Sequence, residues 1–196
     1  MRRMSIAVAL CLAALVVGAR VRAQEHLYVG ADKCRSCHKK ELIGDQYGKW
    51  KEGPHAKAFE TLRGQKAIDI AKKKGISAPP HEAPECLKCH VTAYGVKPAA
   101  IKYPLDRVDG IQCESCHGPG NDYRKKSVMS DHDKSVAKGL RDPGEDQKVC
   151  TSCHNQDSPT VVSFDFEKAK KEIEHPIPKD VKGRVVEIEK ERRSKK

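Results

Sequence analysis

The sequence has few large apolar side chains for its length. Aromatic residues make up 5% of its 196 residues, with one Trp and three Phe, and hydrophobic residues of all kinds make up 38%. After residue 23, no run approaches the roughly 20 apolar residues that a membrane-spanning helix needs. A core built from so few large side chains would be thin, so we expect something other than side chains to fill the interior.

The N-terminus has the pattern of a secretory signal. Arg2 and Arg3 precede an apolar run from Ile6 to Val17, and the small residue Ala23 follows shortly after. This order predicts a signal peptide over residues 1–23, whose apolar run is too short to remain as a membrane anchor. Its cleavage would remove four arginines and lower the formal charge from +11 to +7. We therefore expect an exported, periplasmic protein with no transmembrane segment after cleavage.

The remaining eight cysteines form four pairs with two residues between, and a histidine follows the second cysteine of every pair. The four motifs are Cys34-Arg35-Ser36-Cys37-His38, Cys86-Leu87-Lys88-Cys89-His90, Cys113-Glu114-Ser115-Cys116-His117 and Cys150-Thr151-Ser152-Cys153-His154. Cys-x-x-Cys-His is the attachment motif of c-type haem. Two thiols at this spacing reach the two vinyl groups of one haem, and the adjacent histidine binds the iron.

Other uses of paired cysteines do not explain these histidines. A disulfide scaffold, a Cys₄ zinc site or a redox dithiol would each account for the pairs. None of them requires a histidine directly after each pair. We therefore predict four covalently bound haem c groups. Thioether bonds form at Cys34, Cys37, Cys86, Cys89, Cys113, Cys116, Cys150 and Cys153, and His38, His90, His117 and His154 are the proximal iron ligands.

The basic balance of the chain does not indicate nucleic-acid binding. Each haem carries two propionates, so four haems would offset much of the excess of Lys and Arg. The remaining basic side chains suit the propionates themselves or an acidic redox partner.

The second axial ligand of each iron decides between electron transfer and ligand chemistry, because only an open iron binds a small molecule. After signal cleavage Met129 is the single methionine, so histidine is the expected distal ligand. The candidates outside the motifs are His26, His55, His81, His132 and His175.

The local sequence differs among these candidates. His55 follows Pro54 where a helix is expected to start, and His175 ends a helical run from Phe166 that Pro176 stops. His132 lies in a predicted polar loop, residues 130–133, where a surface histidine would be ordinary. For His81, in a stiff Pro-rich stretch, and for His26, near the frayed mature N-terminus, a structural role is favoured.

The chain resembles the tetrahaem cytochrome c-554 family, whose members accept electrons from hydroxylamine oxidoreductase. The resemblance covers roughly residues 29–176. It is carried by His-Ala-Lys-Ala at 55–58, Cys-His-Val followed by an aromatic-Gly pair at 89–95, Cys-Glu-Ser-Cys-His-Gly-Pro-Gly at 113–120, Asp131-His132, and the helix that leads to His175.

This resemblance implies three bis-histidine irons and one five-coordinate iron. His132 would serve the haem of His38, while His55 and His175 would serve the haems of His117 and His154 in an order that stays open. The iron at His90 would lack a second protein ligand. His81 matches nothing in the family, and it is an alternative ligand that would close this iron.

Together these patterns predict a mainly α-helical, loop-rich multihaem cytochrome. It would form a compact single domain around its haems over residues 24–178, followed by a charged tail over residues 179–196. The expected function is electron relay between exported or membrane-associated donor and acceptor proteins. The alternatives are reduction of nitric oxide at the open iron, for which we predict no catalytic residue, and membership of a larger multihaem assembly or filament.

Overall fold

The structure is a computed structural model that describes residues 26–144, 146–160 and 163–181. The predicted signal peptide lies outside these residues, as does most of the predicted C-terminal tail. The boundaries of the haem domain therefore stay predictions.

The described chain is mainly helical, which confirms the predicted fold class. Its ten α-helices are α1 (Asp32–His38), α2 (Gln46–Glu52), α3 (Ala58–Thr61), α4 (Gln65–Lys73), α5 (Pro84–His90), α6 (Cys113–His117), α7 (Lys126–Met129), α8 (His132–Ala137), α9 (Gln147–Thr151) and α10 (Phe166–Ile173). Short 3-10 helices cover Glu41–Ile43, Pro98–Ala100 and Arg107–Asp109. β-Pairing among the described residues is limited to one isolated parallel bridge between Tyr28 and Ile101. None of the helices described is both long and apolar enough to cross a membrane.

Three of the four haem motifs are short helices that end at their histidine, namely α1, α5 and α6. Residues three and four apart lie on one face of a helix, so this conformation directs both thiols and the imidazole to the same side. In the fourth motif α9 ends at Thr151, and His154 lies in the turn that follows.

The apolar core is as small as the composition predicts. Its main cluster consists of Phe59, Leu62, Leu87 and Val91, with Cys86 and Tyr94 packed against it. Several of the other buried apolar residues are alanines or valines, which bury little area each.

A buried carboxylate joins the first motif to the third. Glu114, inside α6, is fully buried. Its oxygens accept hydrogen bonds from the backbone N–H groups of Val29 at 2.9 Å, Gly30 at 2.8 Å and Gly120 at 2.6 Å. These bonds fix the segment that leads into α1 against the segment that leaves α6.

Three local predictions around the candidate ligands were wrong. The helix expected at His55 begins at Ala58, because Pro54 and His55 form a turn in which their carbonyls accept from Lys57 and Ala58. The helix expected to end at His175 ends at Ile173, and Glu174 is already extended.

The third error concerns His132. It is the first residue of α8 rather than part of a loop, since the Asp131 side chain accepts from the Lys134 N–H and caps the helix.

Gly110 packs directly against the turn that carries His55. It has a positive φ of 57°, and a Cβ at this position would lie 2.6 Å from the His55 carbonyl oxygen and 3.0 Å from that of Ala56. No side chain fits here without moving the turn.

We expect Gly110→Ala to lower the free energy of unfolding by about 3 kcal/mol, because it adds a backbone clash to the strain of the positive φ. Gly75→Ala is the matched control, since Gly75 also has a positive φ of 69° but its Cβ would meet nothing within 4 Å. It should cost only about 1 kcal/mol. Denaturant midpoints of both variants test the ranking, and equal losses would contradict it.

Candidate haem sites

Two cavities lie against the haem motifs. The first, of about 610 Å³, borders Cys34, His38, Cys113, Cys116 and His117 of the first and third motifs. The second, of about 970 Å³, borders Cys86, Cys89 and His90 of the second motif. Both volumes are in the range of ligand and cofactor pockets, about 300 to 1,000 Å³.

Two pairs of histidine rings face each other near these motifs. The centroids of the His55 and His154 rings are 6.1 Å apart, and those of His117 and His175 are also 6.1 Å apart. Each pair joins one motif histidine to one histidine from outside the motifs.

This separation fits an iron held between two imidazoles. A metal bound to a ring nitrogen at about 2 Å on each side puts the two ring centres roughly 6 Å apart. The stacked rings of His154 and Phe164 are closer, at 4.8 Å. The residues present therefore fit the cofactor that the motifs predict.

Hydrogen bonds select the nitrogen that each ring has available. The Nδ1 of His90 lies 2.6 Å from the Ala58 carbonyl oxygen, that of His117 lies 3.3 Å from the Arg141 carbonyl oxygen, and that of His175 lies 2.9 Å from the Ile173 carbonyl oxygen. A carbonyl only accepts, so Nδ1 carries the proton in each ring. The unprotonated Nε2 is then available for iron, which is the usual arrangement of metal-binding histidines.

Burial keeps these imidazoles in the neutral form that binds metal. It lowers the pKa of His55, with a smaller contribution from His154. It also lowers the pKa of His117, where His175 adds to the effect and the Arg141 carbonyl opposes it. Burial likewise lowers the pKa of His154. A histidine binds a metal through a deprotonated ring nitrogen, so these three rings are already in the form that binds iron.

The structure brings His38 and His132 to the same cavity but leaves His132 at its rim. Both border the first cavity. The His132 side chain is 67% exposed, and its Nδ1 lies 3.7 Å from an Asp133 carboxylate oxygen. His38 and His132 therefore border the same cavity, as the two ligands of one haem iron would. Their rings do not face each other as those of the other two pairs do.

Two buried polar atoms in the described residues have no protein partner, the Nε of Arg124 and the Oε1 of Gln46. Arg124 acts electrostatically on Cys34 of the first motif. A haem propionate at this motif would supply the acceptor that its Nε lacks. Burial lowers the pKa of His38 and the nearby Gln46 side chain opposes that shift, so Gln46 Oε1 lies close to the His38 ring.

Sequence reasoning missed both residues. Nothing near Gln46 or Arg124 in the sequence distinguishes them from the many polar residues around them. Only the fold brings them to the first motif.

The remaining two histidines lie apart from these cavities. His26 is not frayed: its Nδ1 lies 2.8 Å from Asp122 Oδ2, and its ring packs against Gly139. The Nε2 of His81 lies 3.5 Å from a Glu82 carboxylate oxygen. Among the described residues that border the second cavity, His90 is the single histidine.

Contacts between thiols show which motifs are neighbours. Cys113 of the third motif lowers the pKa of the Cys34 thiol of the first, so these two thiols are neighbours. Burial raises the pKa of the Cys89 thiol of the second motif, and the nearby Cys153 of the fourth adds to the rise. Cys116 of the third motif lies within the electrostatic influence of Cys150. The eight cysteines in the described chain form no disulfide.

Comparisons with known proteins agree with the motifs. A family model described as cytochrome c554 and c-prime matches residues 33–118. Cytochrome c-554 of Nitrosomonas europaea is 34% identical over 140 residues, which are 65% of this chain. The matched part spans 57% of the length of that relative.

A solved structure shares the fold. The reduced state of cytochrome c554 from Nitrosomonas europaea superposes with a TM-score of 0.58 at 26% identity, covering 78% of this chain and 85% of the other. With four Cys-x-x-Cys-His motifs, the chain is similar to cytochrome c-554 and carries four covalently bound haem c groups.

Proposed function

We propose that this cytochrome is an exported electron relay with three bis-histidine haems and one haem whose iron has an open position. The observation that carries the proposal is the pair of facing imidazoles, His55 with His154 and His117 with His175, each at 6.1 Å. An iron with two protein ligands passes electrons but binds no substrate.

The pairing proposed here resolves the order that the sequence leaves open. His55 is the distal ligand of the fourth haem and His175 that of the third. His132 is proposed for the first haem because it borders the same cavity as His38.

The relay order follows from the neighbouring thiols. A thioether bond lies at the edge of its macrocycle, so neighbouring thiols indicate adjacent haem edges. The contacts support the order first, third, fourth, second haem, with the first and second haems at the two ends. Electrons would enter at one end and leave at the other.

The electron donor and the electron acceptor would be exported or membrane-associated redox proteins that bind this cytochrome in the periplasm. The predicted signal over residues 1–23 supports this location, and the excess of Lys and Arg suits acidic partners. Covalent attachment keeps all four haems bound while the partners exchange.

One observation favours a second function at the end of the relay. The cavity at His90 has no other histidine among its described lining residues, and His81 interacts with Glu82 instead. The second iron is therefore the place where nitric oxide would bind and be reduced, with the other haems supplying electrons. The relay remains the first proposal, because it rests on two facing pairs of imidazoles, whereas the second function rests on the lining of one cavity.

Removal of a distal histidine tests the ligand pairs. We expect His55→Ala and His175→Ala each to convert one low-spin ferric haem to high spin, and added imidazole to restore it. Electron paramagnetic resonance of the oxidised protein measures both changes.

His81→Ala is the matched control for these variants. It should leave the high-spin content unchanged, since the His81 side chain faces Glu82 and not the second cavity. A rise in high-spin content in His81→Ala would show that His81 closes the second iron.

A reductive titration distinguishes an electron relay from an enzyme that reduces nitric oxide. We expect four electrons to reduce each chain fully and reversibly, because each haem iron takes one. In the presence of nitric oxide, a relay consumes no more than these four equivalents. Continued consumption of electrons would establish reduction of nitric oxide instead.

A further inference from the structure

The third motif carries an acid in a position where the other motifs do not. Glu114 lies between the two cysteines, where the other three motifs have Arg35-Ser36, Leu87-Lys88 and Thr151-Ser152. Glu114 is also 0% exposed, which is rare for a carboxylate.

The surroundings of Glu114 are those of an ionised carboxylate. Three backbone N–H groups point at its two oxygens, with the Val29 N–H shared between both at 2.9 and 3.1 Å. All three N–H groups donate hydrogen bonds to the carboxylate. A protonated carboxyl group would bring its own hydrogen toward these donors, which cannot accept it. Burial raises the pKa of Glu114, and the three N–H groups and Arg124 oppose that rise.

No cation neutralises this charge by direct contact in the part of the chain described. The charge of Arg124 opposes the rise in the pKa of Glu114, as the last in order of size of the effects on it. The field of Glu114 instead reaches the thiols of both Cys34 and Cys113. These two thiols belong to the first and third motifs and are neighbours.

We propose that Glu114 is a fixed negative charge that lowers the reduction potentials of the first and third haems. Reduction adds an electron to the iron, so a nearby negative charge favours the ferric form. In a water-excluded interior this effect is much larger than at the surface. The inference rests on the proposed attachment of haems to the first and third motifs.

This charge would give the relay a direction. The first and third haems are neighbours at one end of the proposed order, and the fourth and second lie at the other. Lower potentials in the first pair make transfer toward the second pair favourable. Glu114 would thus both hold the two motifs together and drive electrons away from them.

The test compares two substitutions of similar chemistry. Glu114→Gln removes the buried charge and keeps the size of the side chain. Glu85→Gln is the matched control, because Glu85 also lies next to a haem cysteine, Cys86, but is exposed to solvent. Spectroelectrochemical titration of each holoprotein yields its four midpoint potentials.

In Glu114→Gln we expect two of the four potentials to rise and two to stay at their wild-type values. Glu85→Gln should move none of the four, because solvent screens its charge. Four unchanged potentials in Glu114→Gln, or an equal shift of all four, would overturn the proposal. A haem count below four in the wild type would instead contradict the proposed function.

Two further measurements test the proposal if the Glu114→Gln variant does not acquire its haems. Glu114→Asp keeps the charge and should keep the two low potentials. Infrared spectra of the oxidised wild type should show no band from a buried protonated carboxyl group. Such a band, if Glu114→Asp removes it, would show that Glu114 is neutral and would overturn the inference.

Discussion

Covalent attachment of haem is the constraint on which the rest of this structure depends. In the part of the chain that the structure describes, one small apolar cluster surrounds Phe59 and Leu87, and the helices are three turns long at most. Such short helices are marginal by themselves. Eight thioether bonds to four rigid macrocycles supply the cross-links and the apolar volume that the side chains do not. The motif helices matter because they direct two thiols and one imidazole to the same face.

Backbone contacts then set how the haems meet. Glu114 ties the start of the first motif to the end of the third, and Gly110 allows the turn of His55 to approach closely. One of these contacts involves a fully buried side chain and the other a glycine packed against the backbone. The distances between the motifs can therefore change little. A relay benefits from such rigidity, since electron transfer requires fixed distances and little reorganisation.

The sequence predicted what is encoded locally and could not predict what depends on the fold. The motif spacing was sufficient for the cofactor, and the composition was sufficient for the thin core. The helix beginning at Ala58 was placed three residues too early because Pro54 is compatible both with a helix start and with a turn after Gly53. The partners of His55 and His175, and the buried atoms of Gln46 and Arg124, depend on contacts between residues far apart in the chain. His26 was expected to fray because it lies near the mature N-terminus. Its partner Asp122 is 96 residues away, so the sequence did not indicate this contact.

The most direct test of the central claim is a crystal structure of the holoprotein with the iron positions located by anomalous diffraction. The order of the motifs predicts four irons with short separations between the first and third, the third and fourth, and the fourth and second haems. The first and second irons should be the most distant pair. Adjacent first and second irons, or fewer than four iron positions, would contradict a relay in this order.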